Sequence, residues 1–413
     1  MKIRVQKFGG TSVATPERRE RVLHHIRQAL AEDRRLVVVV SAMGRKGDPY
    51  ATDTFLDWIG QNGQSLTPRE QDLLLSCGEI ISASTLSSLL NQEGISNTVL
   101  TGGQAGIITN NNHTNAQILT IHPSRVLEEL EQDMVVVLAG FQGRTADGEV
   151  TTLGRGGSDT TATALGVALQ ADVVDIFTDV EGIMTADPRI VDDAAALETV
   201  TYSEICNLAF QGAKVIHPRA VELAMQTNVP IRVRSTMSDH PGTLVTSTTQ
   251  SDHVAGELQE RLITGITQMP DITQIQIPVT EGRLDLQQSV FKAMAEDRIS
   301  VDFININPSV VAYTVHNHVA DRAEAILRRM DLEPELHRDC AKVSIVGGGI
   351  AGVPGVMSRI AEALTDEDIQ ILQAADSHTT IWVLVRGEDM IKAVRALHRK
   401  FDLHNVQQAA SML

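Results

Sequence analysis

The chain is predicted to be an α/β protein: a three-layer αβα sandwich with a mostly parallel sheet, followed by two tandem ferredoxin-like βαββαβ units. Three observations lead there. Residues 1–250 alternate short apolar runs with amphipathic stretches, the pattern of strands buried between helices. Near residue 240 the texture changes, and Asp239 to Gly256, rich in Ser, Thr, Asp and Gly, reads as a linker. Beyond it one order of elements occurs twice, each time over about 70 residues, the size of a ferredoxin-like unit. The expected division is 1–245, 263–338 and 339–413. Whether Ile263 to Gln268 lends a strand to the last unit is left open.

The elements follow in order. Ile3-Arg4-Val5 reads as a strand. A helix is expected from Pro16 to Leu30, where Val22, Ile26 and Leu30 recur four apart on one face. Leu36 to Val40 is a continuous apolar run suited to a strand covered on both sides. Thr67-Pro68 is an N-cap with proline at the first helical position, and the helix it opens carries Leu74 and Ile81. Val99-Leu100, Met134 to Ala139, Val173 to Thr178 and Ile231 to Arg234 are further buried-strand candidates. The first repeat reads as strand Thr273–Val279, helix Leu286–Arg298, strands Val301–Asn305 and Val310–Val315, helix Asp321–Met330 and a short strand at Glu335-Leu336-His337. The second reads as strand Lys342–Val346, helix Pro354–Leu364, strands Ile369–Gln373 and Thr380–Val385, helix Met390–Phe401 and Val406-Gln407.

Composition narrows the function classes. The 413 residues are 42% apolar and 21% charged, a globular profile with room for two or three domains. No run approaches the ~18 consecutive apolar residues of a membrane span, and Met-Lys-Ile-Arg-Val is no signal core. Three scattered cysteines, Cys77, Cys206 and Cys340, fit a reducing cytoplasm and argue against a disulfide framework or zinc cluster. A net charge of −17 offers no basic stripe to nucleic acid. The expectation is a cytoplasmic protein with neither nucleic-acid nor membrane partners.

Three segments carry chemistry. Lys7-Phe8-Gly9-Gly10-Thr11-Ser12 follows the first strand; two glycines let backbone N–H groups approach an anion, and the lysine neutralises phosphate charge. Alone, such a turn is more often structural than functional, and no Walker A pattern occurs in the chain. Gly154-Arg155-Gly156-Gly157-Ser158-Asp159 opens a helix; the arginine offers a planar fork to a carboxylate, which simple helix capping does not require. Thr178-Asp179 to Asp187-Pro188-Arg189 follows a buried strand, where ligands bind beyond carboxyl ends in open parallel sheets. Lys214, in Gly212 to Pro218, is a further candidate cation.

Taken together these motifs resemble the aspartokinase signature. The match continues through Ser41-Ala42-Met43-Gly44 and Gly78-Glu79, and the C-terminal repeats resemble paired ACT domains. Within that family, the insertion Arg45 to Tyr50 and the segment Gln373 to His378 look most like the diaminopimelate-sensitive isozyme of Bacillus-type bacteria. The resemblance implies an amino-acid-kinase fold and ATP-dependent phosphorylation of L-aspartate to 4-phospho-L-aspartate, the first step toward lysine and diaminopimelate, threonine and methionine. It implies that Lys7 bridges the β- and γ-phosphates while the Gly9 and Gly10 amides cradle the transferring group beside Phe8. Asp159 orients Lys7 or organises the phosphate end. Arg155 holds a substrate carboxylate with Thr52 and Glu79, Glu79 taking the α-ammonium, and Gly156, Gly157 and Ser158 complete that end. Ser41, Thr178, Asp179, Met184, Asp187, Arg189 and Lys214 line the nucleotide site, and Mg2+ arrives mostly on phosphate oxygens and water. Thr54 stays open as a substitute for Thr52.

The resemblance also implies effector loops at Asp285, Gln288, Asp302 and Asn305 in the first repeat, and at Val353, Pro354, Ala374 and Asp376 in the second. Diaminopimelate, lysine or threonine is the expected ligand, in a homodimer or higher oligomer joined through the ACT units.

Other readings remain. A glutamate or acetylglutamate kinase shares the superfamily, although the tandem repeats and lysine-led glycines favour aspartate. A non-catalytic amino-acid sensor would have no need of Lys7, Arg155 or Asp159, and all are present. Gly347-Gly348-Gly349-Ile350-Ala351-Gly352 fits a dinucleotide fingerprint, but too little chain follows it to complete such a domain.

Overall fold

The computed structural model describes residues 2–32, 34–61, 66–213, 215–247, 262–279 and 284–405. It divides into two compact units: 1–183 with 196–210 and 214–258, and 184–195 with 211–213 and 259–413.

The first unit runs β1 (Ile3–Phe8), α1 (Gly10–Val13), α2 (Pro16–Ala31), β2 (Arg35–Val40), α3 (Thr52–Gln61), α4 (Pro68–Gln92), β3 (Asn97–Leu100), β4 (Ile107–Thr109), β5 (Ile118–Ile121), α5 (Ser124–Glu131), β6 (Val135–Ala139), β7 (Gln142–Arg144), β8 (Val150–Thr152), α6 (Gly157–Ala168), β9 (Val173–Thr178), β10 (Thr199–Thr201), α7 (Tyr202–Phe210), α8 (Pro218–Thr227), β11 (Ile231–Ser235) and β12 (Thr243–Thr246). Its main sheet has the order β10-β12-β11-β9-β1-β2-β6-β3. From β11 to β3 all neighbours are parallel, while β12 pairs antiparallel with β11 and parallel with β10. β5, β4, β7 and β8 form a smaller sheet.

Strand alternation sorts the two faces of the main sheet. Phe8, Leu36, Val38, Val40, Val135 and Val137 meet Val22, Ile26 and Leu86 from α2 and α4. On the other face α6 lies against β1, β2 and β9. Its small residues permit that approach: a Cβ on Gly166 would come within 2.3 Å of Val174 Cγ2. Helix α4 is long and apolar enough to suit a membrane span. It nevertheless buries Asp72 and Glu79 and lies on β3, β6 and β8, as the interior helix of a globular unit does.

The second unit runs β13 (Gly265–Pro278), α9 (Leu284–Glu296), β14 (Asp302–Ile306), β15 (Val310–His316), α10 (Asn317–Arg329), β16 (Glu335–Val346), α11 (Val356–Thr365), β17 (Gln373–Asp376), β18 (Thr380–Arg386) and α12 (Met390–Lys400). One antiparallel sheet carries them in the order β14-β15-β13-β16-β18-β17. Separate apolar cores form under α9 with α10 and under α11 with α12. Ile272, Phe303, Cys340, Leu384 and Trp382 join the repeats. Beside them Gln274 donates to Gln373 Oε1 (2.7 Å), Gln373 donates to Phe303 O (2.7 Å), and the buried Lys342 pairs with Asp302.

The alternative left open for Ile263 to Gln268 has a partner: Gly265 to Met269 pairs with Lys342 to Val346 of the second repeat, while Ile272 to Pro278 pairs with β15 of the first. Other expectations are corrected here. The expected strands Thr273–Val279, 335–337 and 342–346 are therefore parts of two long strands, broken where Asp271 and Asp339 take positive φ. The strand expected at Ile369–Gln373 lies instead at Gln373–Asp376, because Ile369 N–H closes α11 on Leu364 O and its side chain fills the core. Helix α11 starts after Pro354, at Val356, behind Gly355 in the left-handed region. The continuous boundary 1–245 is also interrupted. Ala186, Ile190 and Val191 bury themselves with Ile263, Ile266 and α12, which assigns 184–195 to the second unit. Val406-Gln407 lie outside the described residues.

Candidate active site

The main sheet has its topological switch at β1, flanked by β2 and β9. Open α/β sheets bind ligands beyond the carboxyl ends of strands at such a point. Ile3, Val5 and Lys7 alternate with Arg4, Gln6 and Phe8, so Lys7 is the last residue of the row facing α6. Its Nζ lies 2.7 Å from Asp159 Oδ1, on the first turn of α6, and both side chains are largely buried. Phe8 anchors the strand end by stacking on Phe177, centroids 4.5 Å apart.

The turn after β1 is stitched to the turn after β2. Ser41 N–H donates to Phe8 O (3.1 Å) and Gly44 N–H to Gly10 O (3.0 Å). A Cβ on Gly10 would stand 2.4 Å from Ala42 O and 2.8 Å from Gly44 O, so the approach requires glycine. At Gly9 an added Cβ would lie 3.6 Å from Lys7 Nζ, which places this backbone beside the ammonium group.

The α6 end is built by two left-handed glycines, Gly154 (φ 73) and Gly156 (φ 69). Gly157 N–H donates to Gly154 O (3.0 Å), closing a turn that leaves Arg155 exposed. Thr161 Oγ1 accepts Phe141 N–H and donates to Gly157 O. Ser158 is buried, and a Cβ on Gly140 would lie 3.0 Å from its own.

Glu79, on α4, accepts Ala42 N–H (3.1 Å) through Oε1, while its buried Oε2 has no hydrogen-bond partner among the described residues. Burial pushes its carboxyl up to about 8, only partly opposed by the Ala42 N–H. Thr54 Oγ1 accepts Gly47 N–H, which engages it within the insertion; Thr52 opens α3. Thr178 Oγ1 donates to Asp179 Oδ1 (3.2 Å), and Asp179 Oδ2 meets Arg45 (2.7 Å).

Met184, Asp187 and Arg189 belong to the second unit. There Asp187 accepts Arg189 Nε (3.0 Å) and the guanidinium terminus (2.7 Å), which holds its carboxyl below the usual range. Lys214 lies outside the described residues. Among the effector candidates, Val353, Ala374 and Asp376 line one cavity of about 810 Å3 with Ile350, Met357 and Ile381; Pro354 is not part of its wall. Asp285, Gln288 and Asn305 are exposed, and Asp302 is paired with Lys342.

Sequence reasoning missed Asp72 and His217. Asp72 is fully buried, seven residues before Glu79 on α4, and accepts from His113 Nδ1 (2.8 Å), Thr114 N–H (3.0 Å) and Thr152 Oγ1. It thereby ties α4 to the strand that leads into Gly154-Arg155. Two acids at that spacing, with no other charge on α4 after Glu70, are a readable signal. His217 lies against Gly156, where a Cβ would approach its Cγ to 2.2 Å. Burial lowers its pKa, opposed by the nearby Asp159 charge. The glycine fingerprint at 347–352 follows a strand whose neighbours are both antiparallel, which is not the parallel unit a dinucleotide needs.

Comparisons with known proteins agree with the fold. The amino acid kinase family model matches residues 2–235 and an ACT domain model matches 335–399. Aspartokinase 1 of Bacillus subtilis is 57% identical over 403 residues, covering 98% of this chain and 100% of its own. The crystal structure of E. coli aspartokinase III with aspartate and ADP (R-state) superposes with TM-score 0.78 at 25% identity, covering 97% of this chain and 100% of that one. The same enzyme with lysine and aspartate (T-state) gives TM-score 0.75 at 25% identity, covering 97% and 99%. The chain belongs to the aspartokinase family.

Proposed function

We infer that this member of the aspartokinase family transfers the γ-phosphoryl group of ATP to the side-chain carboxylate of L-aspartate, giving 4-phospho-L-aspartate and ADP. The carrying observation is the Lys7–Asp159 pair beside the Gly9-Gly10 turn at the sheet's switch point. The acceptor carboxylate is ionised at neutral pH, with a reference pKa of about 3.9, so no strong general base is required. What must be overcome is repulsion between an anion and a polyanion, by charge neutralisation and in-line positioning.

In this reading Lys7 bridges the β- and γ-phosphates, held to one geometry by Asp159, and the Gly9 and Gly10 backbone receives the transferring group. Ser41 and Ser158 border the phosphates. Arg155 takes a substrate carboxylate, Thr52 assists it, and Glu79 takes the α-ammonium. Thr178 and Asp179 face the nucleotide, with Met184, Asp187, Arg189 and Lys214 assigned to it by family resemblance. Asp159 and Asp179 each already answer a cation. That donor set fits Mg2+ carried on phosphate oxygens and water, where it would neutralise phosphate charge.

The cavity lined by Val353, Ala374 and Asp376 supports feedback control by an end product of the aspartate branch: diaminopimelate first, then lysine or threonine. Edge strand β14 exposes Ile304 and Ile306, which supports assembly through these units as a homodimer or larger oligomer. Free Cys77, Cys206 and Cys340 support a cytoplasmic setting.

A coupled assay for ADP release tests the activity, with aspartate, glutamate and N-acetylglutamate as acceptors. Turnover on aspartate alone is expected; preference for glutamate or acetylglutamate would overturn the reading.

A further inference from the structure

The turn after β2 presents an arginine that no step above uses. Its backbone is fixed. Asp48 Oδ2 accepts Arg45 N–H (2.7 Å), Asp48 N–H donates to Arg45 O (2.9 Å), and Gly47 N–H donates to Thr54 Oγ1 (3.1 Å). The preceding Gly44 takes φ 91 against Asp48 and donates to Gly10 O, so Arg45 is rooted one residue from the glycine turn. Its side chain, 69% exposed, extends to Asp179 Oδ2 at 2.7 Å, directly after β9. β2 and β9 are the two neighbours of β1. The pair therefore links the turns on either side of Lys7-Phe8-Gly9-Gly10.

An exposed ion pair of this kind contributes about 0–1 kcal/mol and is easily exchanged. A guanidinium gains more from phosphate oxygens, which it can meet through two parallel N–H bonds. A carboxylate released at the end of β9 is in turn an acceptor for sugar hydroxyls.

We propose that Arg45 is a polyphosphate-binding residue, held in reserve by Asp179 and transferred to the nucleotide's phosphate chain when ATP enters, while Asp179 turns to the sugar. The ligand chemistry is a nucleoside polyphosphate, with the contact on the phosphates rather than on base or ribose. The inference rests on the proposed phosphate cradle at Lys7.

The test is calorimetric titration of the full-length protein, Arg45→Ala, Arg45→Lys and Lys7→Ala with Mg·ATP, Mg·ADP and adenosine, together with steady-state kinetics. Arg45→Ala is expected to weaken Mg·ATP by about tenfold, the loss of one charge-assisted contact. Adenosine affinity and the aspartate KM should stay within about twofold, and Arg45→Lys should restore part of the loss. Wild-type ATP affinity in Arg45→Ala would overturn the proposal. Equal losses for ATP and adenosine would also overturn it, since they would mark a loop held in shape rather than a phosphate contact. Lys7→Ala separates the two readings: unchanged ATP affinity and turnover there would remove the cradle itself, whatever Arg45 does.

Discussion

Lys7 Nζ and Asp159 Oδ1 lie 2.7 Å apart, joining the carboxyl end of β1 to the first turn of α6. Both side chains are only 12% and 13% exposed, so water screens them poorly and each serves as the other's counter-ion. Removing either one leaves the other as an unpaired, mostly buried ion.

Lys7→Ala should lower kcat by about 10²–10³-fold, the range for losing one positioned charge stabiliser, with the fold retained by circular dichroism. Asp159→Asn should lower kcat as well. In a double-mutant cycle the two losses should be clearly less than additive, because they disrupt one unit. A Lys7→Ala variant with most of its kcat would remove the phosphate role.

Arg155 is exposed and rooted between two left-handed glycines, free to close on substrate. Arg155→Ala should raise the aspartate KM by about 10–100-fold, as expected for a charge-assisted contact, and the ATP KM far less. Equal effects on both constants would show that it is no substrate clamp.

Glu79 gives a pH signature. Its folded pKa of about 8 lies above the ordinary 4.5, so the free protein holds it protonated at pH 7. An incoming ammonium group requires the carboxylate, so aspartate binding at pH 7 should release a proton. Calorimetry in buffers of different ionisation enthalpy measures that release. The aspartate KM should fall as pH rises toward about 8 and level off above it, a trend that Glu79→Gln removes. Because the pKa is raised, the stability this group contributes is complete below about 4.5 and is lost as pH climbs through about 8. Glu79→Gln should therefore melt higher than wild type at pH 9, with a smaller difference at pH 5.

Gly156→Ala meets two obstacles, a φ of 69° and the His217 ring. A left-handed non-glycine costs about 1–2 kcal/mol and overpacking about 1–3. A lower melting temperature and lost activity are expected. His217→Ala in the same chain should recover only the packing share, since the backbone conformation is unchanged.

Ala374→Trp fills the cavity of the second repeat. It should raise the concentration of diaminopimelate or lysine needed for half-inhibition by at least about tenfold. Unaltered inhibition would place the effector elsewhere. Deleting residues 260–413 would be a poor substitute, because Ala186, Ile190 and Val191 would lose the core that buries them.

Much of the catalytic unit was legible along the chain. The strand Val173–Thr178 and the helix capped at Thr67-Pro68 lie where their residues predict. Their signals are local: β-branched runs, a cap, a proline at the first turn. Asp72 was not legible as a hub because its partners, His113 and Thr114 in the β4–β5 loop and Thr152 on β8, are about 40 to 80 residues away in the chain. Arg45 read as a mark of kinship; its contact with Asp179 depends on β2 and β9 both flanking β1.

What the sequence determined by itself were the pieces whose physics acts within a turn or a strand: the lysine ahead of two glycines, the glycines and acid that open a helix around Arg155, and the matched order of two C-terminal repeats. Only the tertiary structure decided which pieces meet. It set Lys7 on the α6 side of β1, against Asp159. It lent Gly265–Met269 to the second repeat and carried 184–195 into the second unit. The physical reason is that strand order and core membership depend on burial shared among distant segments, and local periodicity carries no record of which partner supplies it.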